Sequence, residues 1–205
     1  MRAFIAIDLP ETIRRTLGQK QADLRSSLAP ASQARPNQNS EIRWSRPEGI
    51  HLTLKFLGEI TESQVKQVTE TLSAFEAFQH FAIEVKGFGF FPSASRPQVF
   101  WAGVVAPPAL AQLARQIDEG IEKIGFAPEL RNYNAHLTLA RFRKPHPRPE
   151  FQSLVEAQSQ MSMGRFEARE FFLFESILSP RGAEYRKVAR FPPEAKLVNG
   201  AEIKF

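Results

Sequence analysis

Two stretches of this chain are identical: His51-Leu52-Thr53-Leu54 and His136-Leu137-Thr138-Leu139. The sequence holds four histidines and seven threonines. Two of those histidines each being followed two places later by Thr has a chance of roughly 1%, and the matching leucines lower it further. In a strand, residues i and i+2 share a face. His51 and Thr53 then point one way while Leu52 and Leu54 point the other, and the second copy repeats this. The leucines are placed to anchor each strand in a core. An imidazole with an ordinary pKa near ~6.5 gives or takes a proton at neutral pH, so a pair supplies both an acid and a base. Threonine hydroxyls donate to phosphate oxygens. Cleavage of a phosphate ester needs these parts: a base on the attacking oxygen, an acid on the leaving oxygen, and donors for the non-bridging oxygens.

Other chemistries fit less well. There is no cysteine, which excludes disulfides, thiolate zinc sites and a thiol nucleophile. Neither motif histidine is accompanied by the spaced carboxylates or histidines of a metal site. No metal is expected.

The elements that must position the motif can be read from periodicity. Arg2–Asp8 alternates as a strand, and an amphipathic helix follows Pro10, with Ile13, Leu17, Leu24 and Leu28 at helical spacing. Pro30–Ser40 reads as a loop. Thr61-Glu62-Ser63-Gln64 is a capping box, S/T-x-x-E/Q, opening a helix with Val65, Val68, Leu72 and Phe75 on one face. Strands follow at Phe81–Phe91, with bends at Gly87 and Gly89, and at Gln98–Val105. A helix then carries Leu110, Leu113, Ile117, Ile121 and Ile124, with Gly125 as its C-terminal cap. The strand His136–Phe142 leads into a basic, Pro-rich loop. A shorter helix is read around Phe151–Met161. Phe166–Ser176 and Tyr185–Phe191 read as a hairpin through Ser179-Pro180-Arg181-Gly182. Two similar halves of mixed strand and helix indicate an α+β fold with an internal duplication over residues 1–205.

At 205 residues this is one domain of ordinary composition. A net charge of +5 favours polyanionic partners. The opening apolar run stops at Asp8, too soon for a signal peptide, and no run reaches the ~20 apolar residues that cross a bilayer. A soluble, cytoplasmic monomer with no membrane association is expected.

The segments MRAFIAIDLP, IRWSRPEGIHLTLKFLGEI, QVFWAGV, NAHLTLARF and ESILSPRGAEYRKVARFP resemble, in order and spacing, the 2H phosphoesterase superfamily. Within it the chain is most similar to the RNA 2′,3′-cyclic phosphodiesterases, also called 2′-5′ RNA ligases. The resemblance implies two pseudo-symmetric lobes, each an antiparallel sheet with helices outside, enclosing a central cleft. It implies an enzyme that opens RNA 2′,3′-cyclic phosphate ends to 2′-phosphomonoesters without metal or nucleotide cofactor. His51 matches the proton donor and His136 the proton acceptor. Thr53 and Thr138 match phosphate-holding residues, and so does Arg141. Some relatives also join RNA halves through a 2′-5′ bond. Two other readings stay open: a relative acting on another cyclic or oligonucleotide phosphodiester, and a non-catalytic RNA-binding module.

Further residues are weighed beside these. Lys55 falls on the His51 face by strict alternation, toward substrate or water. Trp44 and Phe56 are candidates for base stacking, against a core role. Arg43 and Arg46 precede the first motif and are placed to line the cleft. His80 and His146 lack a Thr partner and are set aside.

Overall fold

The computed structural model describes residues 1–28, 42–75, 79–144, 149–179 and 182–192. The expected loop at Pro30–Ser40, His146 and the turn residues Pro180 and Arg181 lie outside the described residues. The elements run β1 (Arg2–Asp8), α1 (Glu11–Leu28), β2 (Ile42–Trp44), β3 (His51–Glu59), α2 (Glu62–Ser73), β4 (Phe81–Phe91) and β5 (Val99–Val105). They continue with α3 (Pro108–Glu122), β6 (His136–Phe142), α4 (Pro149–Glu156), β7 (Ser162–Ala168), β8 (Phe171–Ser179) and β9 (Gly182–Phe191). The fold is α+β. None of the described helices is long and apolar enough to cross a membrane.

The strands form one antiparallel sheet in the order β7-β4-β5-β6-β3-β1-β8-β9, with β2 beside β6. That order is symmetric about its centre. The motif strands β3 and β6 meet there, at the single pair Leu52 and Leu137. Each lobe therefore supplies four strands, with its motif strand innermost. The four motif leucines are buried, at 0–7% exposure, as their alternation requires. The two motifs thus sit side by side and share a core.

The sequence reading of one strand over Phe166–Ser176 is corrected to two, β7 and β8. Arg169 and Glu170 separate them. β7 pairs with β4 and β8 with β1, so the chain must leave one lobe for the other at that point. The last helix stops at Glu156, shorter than the read span to Met161. The Thr61 capping box is present in full: the Gln64 N–H donates to the Thr61 hydroxyl, and the Thr61 N–H to the Gln64 side chain. Gly87 has φ +68 and sits at a register shift of β4, where a side chain would meet the Ser159 carbonyl.

Both motif strands carry a bulge, and it decides the site. Between β1 and β3, Ile5 pairs with Lys55 but Ala6 pairs with Thr53. Between β5 and β6, Phe100 pairs with Ala140 but Trp101 pairs with Thr138. The extra residue is the last leucine of each motif, Leu54 and Leu139. A bulge turns the side chains that follow it to the other face, here as far as a second shift at Leu57 of β3. Leu139's freed carbonyl accepts from the Ser45 N–H at 2.8 Å and from the buried Gln21 amide at 2.8 Å, so its backbone polarity is satisfied.

Candidate functional site

The shared bulge places the fifth residue after each histidine on the histidine's own face. Those residues are Phe56 and Arg141. Both line a cleft of about 570 Å³, together with His51, Thr53 and Thr138. Strict alternation would have turned Arg141 away. The same bulge corrects the reading of Lys55, which turns inward and is 7% exposed. Its ammonium pairs with Asp118 and donates to the Ala127 carbonyl at 2.9 Å.

His136 stands at the next outward position from Thr138 on β6. It is not among the residues lining that cavity, and its ring packs edge-on against Phe91 at 4.9 Å. The cavity itself therefore gathers four of the five expected residues, and β6 presents the fifth beside them.

The two imidazoles are held alike. His51 Nδ1 lies 2.8 Å from the Gly49 carbonyl, and His136 Nδ1 lies 2.8 Å from the Asn134 carbonyl. A carbonyl only accepts, so each Nδ1 carries the proton and each Nε2 is left for exchange. The carbonyls sit two residues before their histidines in both lobes but are fixed differently. Gly49 ends the 3-10 turn Pro47–Gly49, closed by its N–H donating to the Arg46 carbonyl at 3.0 Å. Asn134 follows Tyr133, whose hydroxyl donates to the Thr53 carbonyl at 3.0 Å. The second carbonyl is thus tied to the first motif strand. Burial pushes the Tyr133 phenol up, which keeps it a donor.

Burial lowers the His51 pKa to about 4, and the Arg14 and Arg141 charges add to that. The Gly49 hydrogen bond and Asp8 oppose it. His136 is also lowered, first by burial and then by Arg141, against its bond to Asn134. Arg141 therefore acts on both rings. Among the described residues only His51 has a carboxylate influence: Asp8 is its cross-strand partner on β1, and pairs with Arg14 and with Lys187 at 2.6 Å. Among the described residues no group of three or more His, Asp or Glu side chains is placed to hold a metal ion.

A model of the family described as LigT-like phosphoesterases matches residues 7–101 and 104–185. The chain belongs to this family. An RNA 2′,3′-cyclic phosphodiesterase of Archaeoglobus fulgidus is 34% identical over 93% of this chain and 99% of its own. One of Methanothermobacter thermautotrophicus is 31% identical over 93% and 98%. Among solved structures, TT0787 of Thermus thermophilus superposes with a TM-score of 0.70 at 27% identity, covering 95% of this chain and all of that one. Escherichia coli LigT, solved with 3′-AMP, has a TM-score of 0.71 at 24% identity over 94% and 98%, a likeness of fold. The resemblance read from the sequence is borne out, and so is its fold.

Within the LigT-like fold some neighbours of the histidines had no signal in the spacing. The His51 ring stacks on Phe4 at 4.4 Å, and Tyr185 meets it edge-on at 4.9 Å. Tyr185 also packs on Gly49, where a Cβ would come within 3.0 Å of its ring. Both residues lie in segments that carry the family resemblance, which was the one cue to them. Phe56 is 67% exposed at the cleft. Trp44 lines the cleft but also packs against Phe100 at 5.9 Å, with Arg25 over its ring at 4.9 Å. Arg43 and Arg46 both line the cleft, as read. His80 lies exposed just before β4, away from the motifs.

Proposed function

We propose that this protein hydrolyses the 2′,3′-cyclic phosphate at an RNA end to a 2′-phosphomonoester, using His51 as acid and His136 as base. The observation that carries the reading is the matched pair of imidazoles, each pinned through Nδ1 and each keeping Nε2 for proton transfer. Water attacks phosphorus as His136 Nε2 takes its proton. The bond from phosphorus to O3′ breaks as His51 Nε2 gives its proton to that oxygen. The phosphate stays on O2′. Thr53, Thr138 and Arg141 donate to the non-bridging oxygens, where charge builds. A 5′-hydroxyl in place of water gives a 2′-5′ bond by the same proton transfers. Asp8 opposite His51 favours the protonated ring, but burial outweighs it and leaves the free His51 low, so the donor role rests on the family resemblance and not on that carboxylate. The names of the relatives support RNA as the substrate class.

This reading needs no metal. Turnover of an RNA 2′,3′-cyclic phosphate is expected to persist unchanged in excess EDTA. Loss of turnover that zinc or magnesium restores would contradict it.

The lowered pKa values give a pH prediction. The working form has one ring protonated and the other neutral. It is populated between the two apparent pKa values of the pair and vanishes above the upper one. Both rings titrate below their ordinary value in the free protein, so kcat/KM is expected to peak below pH ~6.5 and to fall toward pH 8. A bound phosphate anion raises both values, so the kcat optimum lies higher. A kcat/KM profile still climbing through pH 8 would contradict this assignment.

A further inference from the structure

Among the described residues the cleft lining contains four arginines, Arg2, Arg43, Arg46 and Arg141, and no aspartate or glutamate. Their situations differ. Arg46 faces Glu184 at 3.9 Å. Arg2 sits at the far end of β1, opposite Glu59 in register. Arg43 stands directly opposite Arg141 in the β2–β6 pairing, and both are exposed. No carboxylate among the described residues pairs with either one. Like charges at opposed strand positions repel, so such a pair is suited to a site that an anion completes. Arg43 also reaches across the cleft mouth: its Nη2 lies 3.5 Å from where a Cβ on Gly182 would stand. Glycine at that position is favoured by its φ of +122, and the guanidinium lies in ordinary contact distance of it.

The proposed mechanism uses Arg141 on the reacting phosphate. Arg43 lies one strand farther from the histidines, on β2. We infer that Arg43 forms a second anion subsite, which takes the phosphate on the 5′ oxygen of the ribose that carries the cyclic phosphate. This rests on the proposed function. A guanidinium grips a phosphate by two parallel N–H donors, which suits a fixed second contact. At an RNA end that phosphate is the last phosphodiester of the chain. In an ADP-ribose cyclic phosphate it belongs to the pyrophosphate. The four arginines lining the cleft and the names of the relatives favour the RNA chain.

The test compares kcat/KM for adenosine 2′,3′-cyclic phosphate bearing a 5′-hydroxyl, the same compound bearing a 5′-phosphate, and the dinucleotide ApA ending in a 2′,3′-cyclic phosphate. ADP-ribose 1″,2″-cyclic phosphate is the fourth substrate. The parent protein is expected to favour the 5′-phosphorylated substrates over the 5′-hydroxyl one by about tenfold, the scale of one charge-assisted hydrogen bond. Arg43→Gln is expected to shrink that ratio to about twofold, while Arg43→Lys keeps part of it. Arg141→Gln is expected to lower all substrates together. A parent protein indifferent to the 5′-phosphate would overturn the subsite alone. So would an Arg43→Gln variant whose losses are equal on all substrates. ADP-ribose cyclic phosphate turning over faster than the dinucleotide would overturn the assignment to an RNA chain. Hydrolysis of none by the parent protein would overturn the proposed function, and the subsite with it.

Discussion

His51→Ala and His136→Ala are each expected to lower kcat on an RNA 2′,3′-cyclic phosphate by about 10²–10⁴-fold, the usual contribution of one general acid or base. That loss corresponds to roughly 3–5 kcal/mol of transition-state stabilisation. The two residues act on one event, so the double variant should lose little more than the worse single one. Neither ring is an anchor of the fold: the burial that holds β3 and β6 comes from Leu52, Leu54, Leu137 and Leu139. Single-turnover rates and thermal melts on the same preparations separate the effects. A rate within a few-fold of the parent in either variant would contradict the acid–base pair. A collapsed melt would instead call for His→Gln at the same position.

Asp118→Ala is expected to cost about 3–5 kcal/mol of stability, because it leaves the Lys55 ammonium buried without its counter-charge. In a chain of this size that shifts Tm by on the order of 10 °C. Lys55 is 7% exposed and Asp118 also accepts the Glu129 N–H, at 3.1 Å. The pair therefore ties β3, α3 and the segment leading to Tyr133 and Asn134 into one unit. Lys55→Met removes the charge with similar volume and should cost less, since apolar replacement of a buried ion is tolerated better than breaking its pair. Urea unfolding of both variants decides the point. An Asp118→Ala protein within 1 kcal/mol of the parent would show that the pair is solvated rather than structural.

These residues also show how far the sequence could be read. His51, Thr53, His136 and Thr138 were legible because period-two alternation needs only local geometry, and the duplication removed the coincidence. The burial of the motif leucines followed from the same rule. What alternation could not foresee was the bulge at Leu54 and Leu139. A bulge is settled by pairing with β1 and β5, far away in the chain, and at Leu139 the carbonyl is held as well by Gln21 of α1. That one unseen residue sent Lys55 to the core and brought Phe56 and Arg141 to the cleft. The split between β7 and β8 was hidden for a related reason. β7 alternates and β8 opens on an apolar run with only Arg169 and Glu170 between them, and their partners at opposite sides of the sheet reveal that they belong to different lobes. Phe4 and Tyr185 reach His51 through β1 and β9, contacts that no spacing within β3 encodes.

The division of labour between the histidines turns on which oxygen leaves. The most direct measurement is to incubate the protein with an RNA ending in a 2′,3′-cyclic phosphate and identify the phosphomonoester formed. A 2′-phosphate with a free 3′-hydroxyl is expected, since His51 then protonates O3′. A 3′-phosphate product would contradict the account: O2′ would be the leaving group, and His51 and His136 would exchange roles.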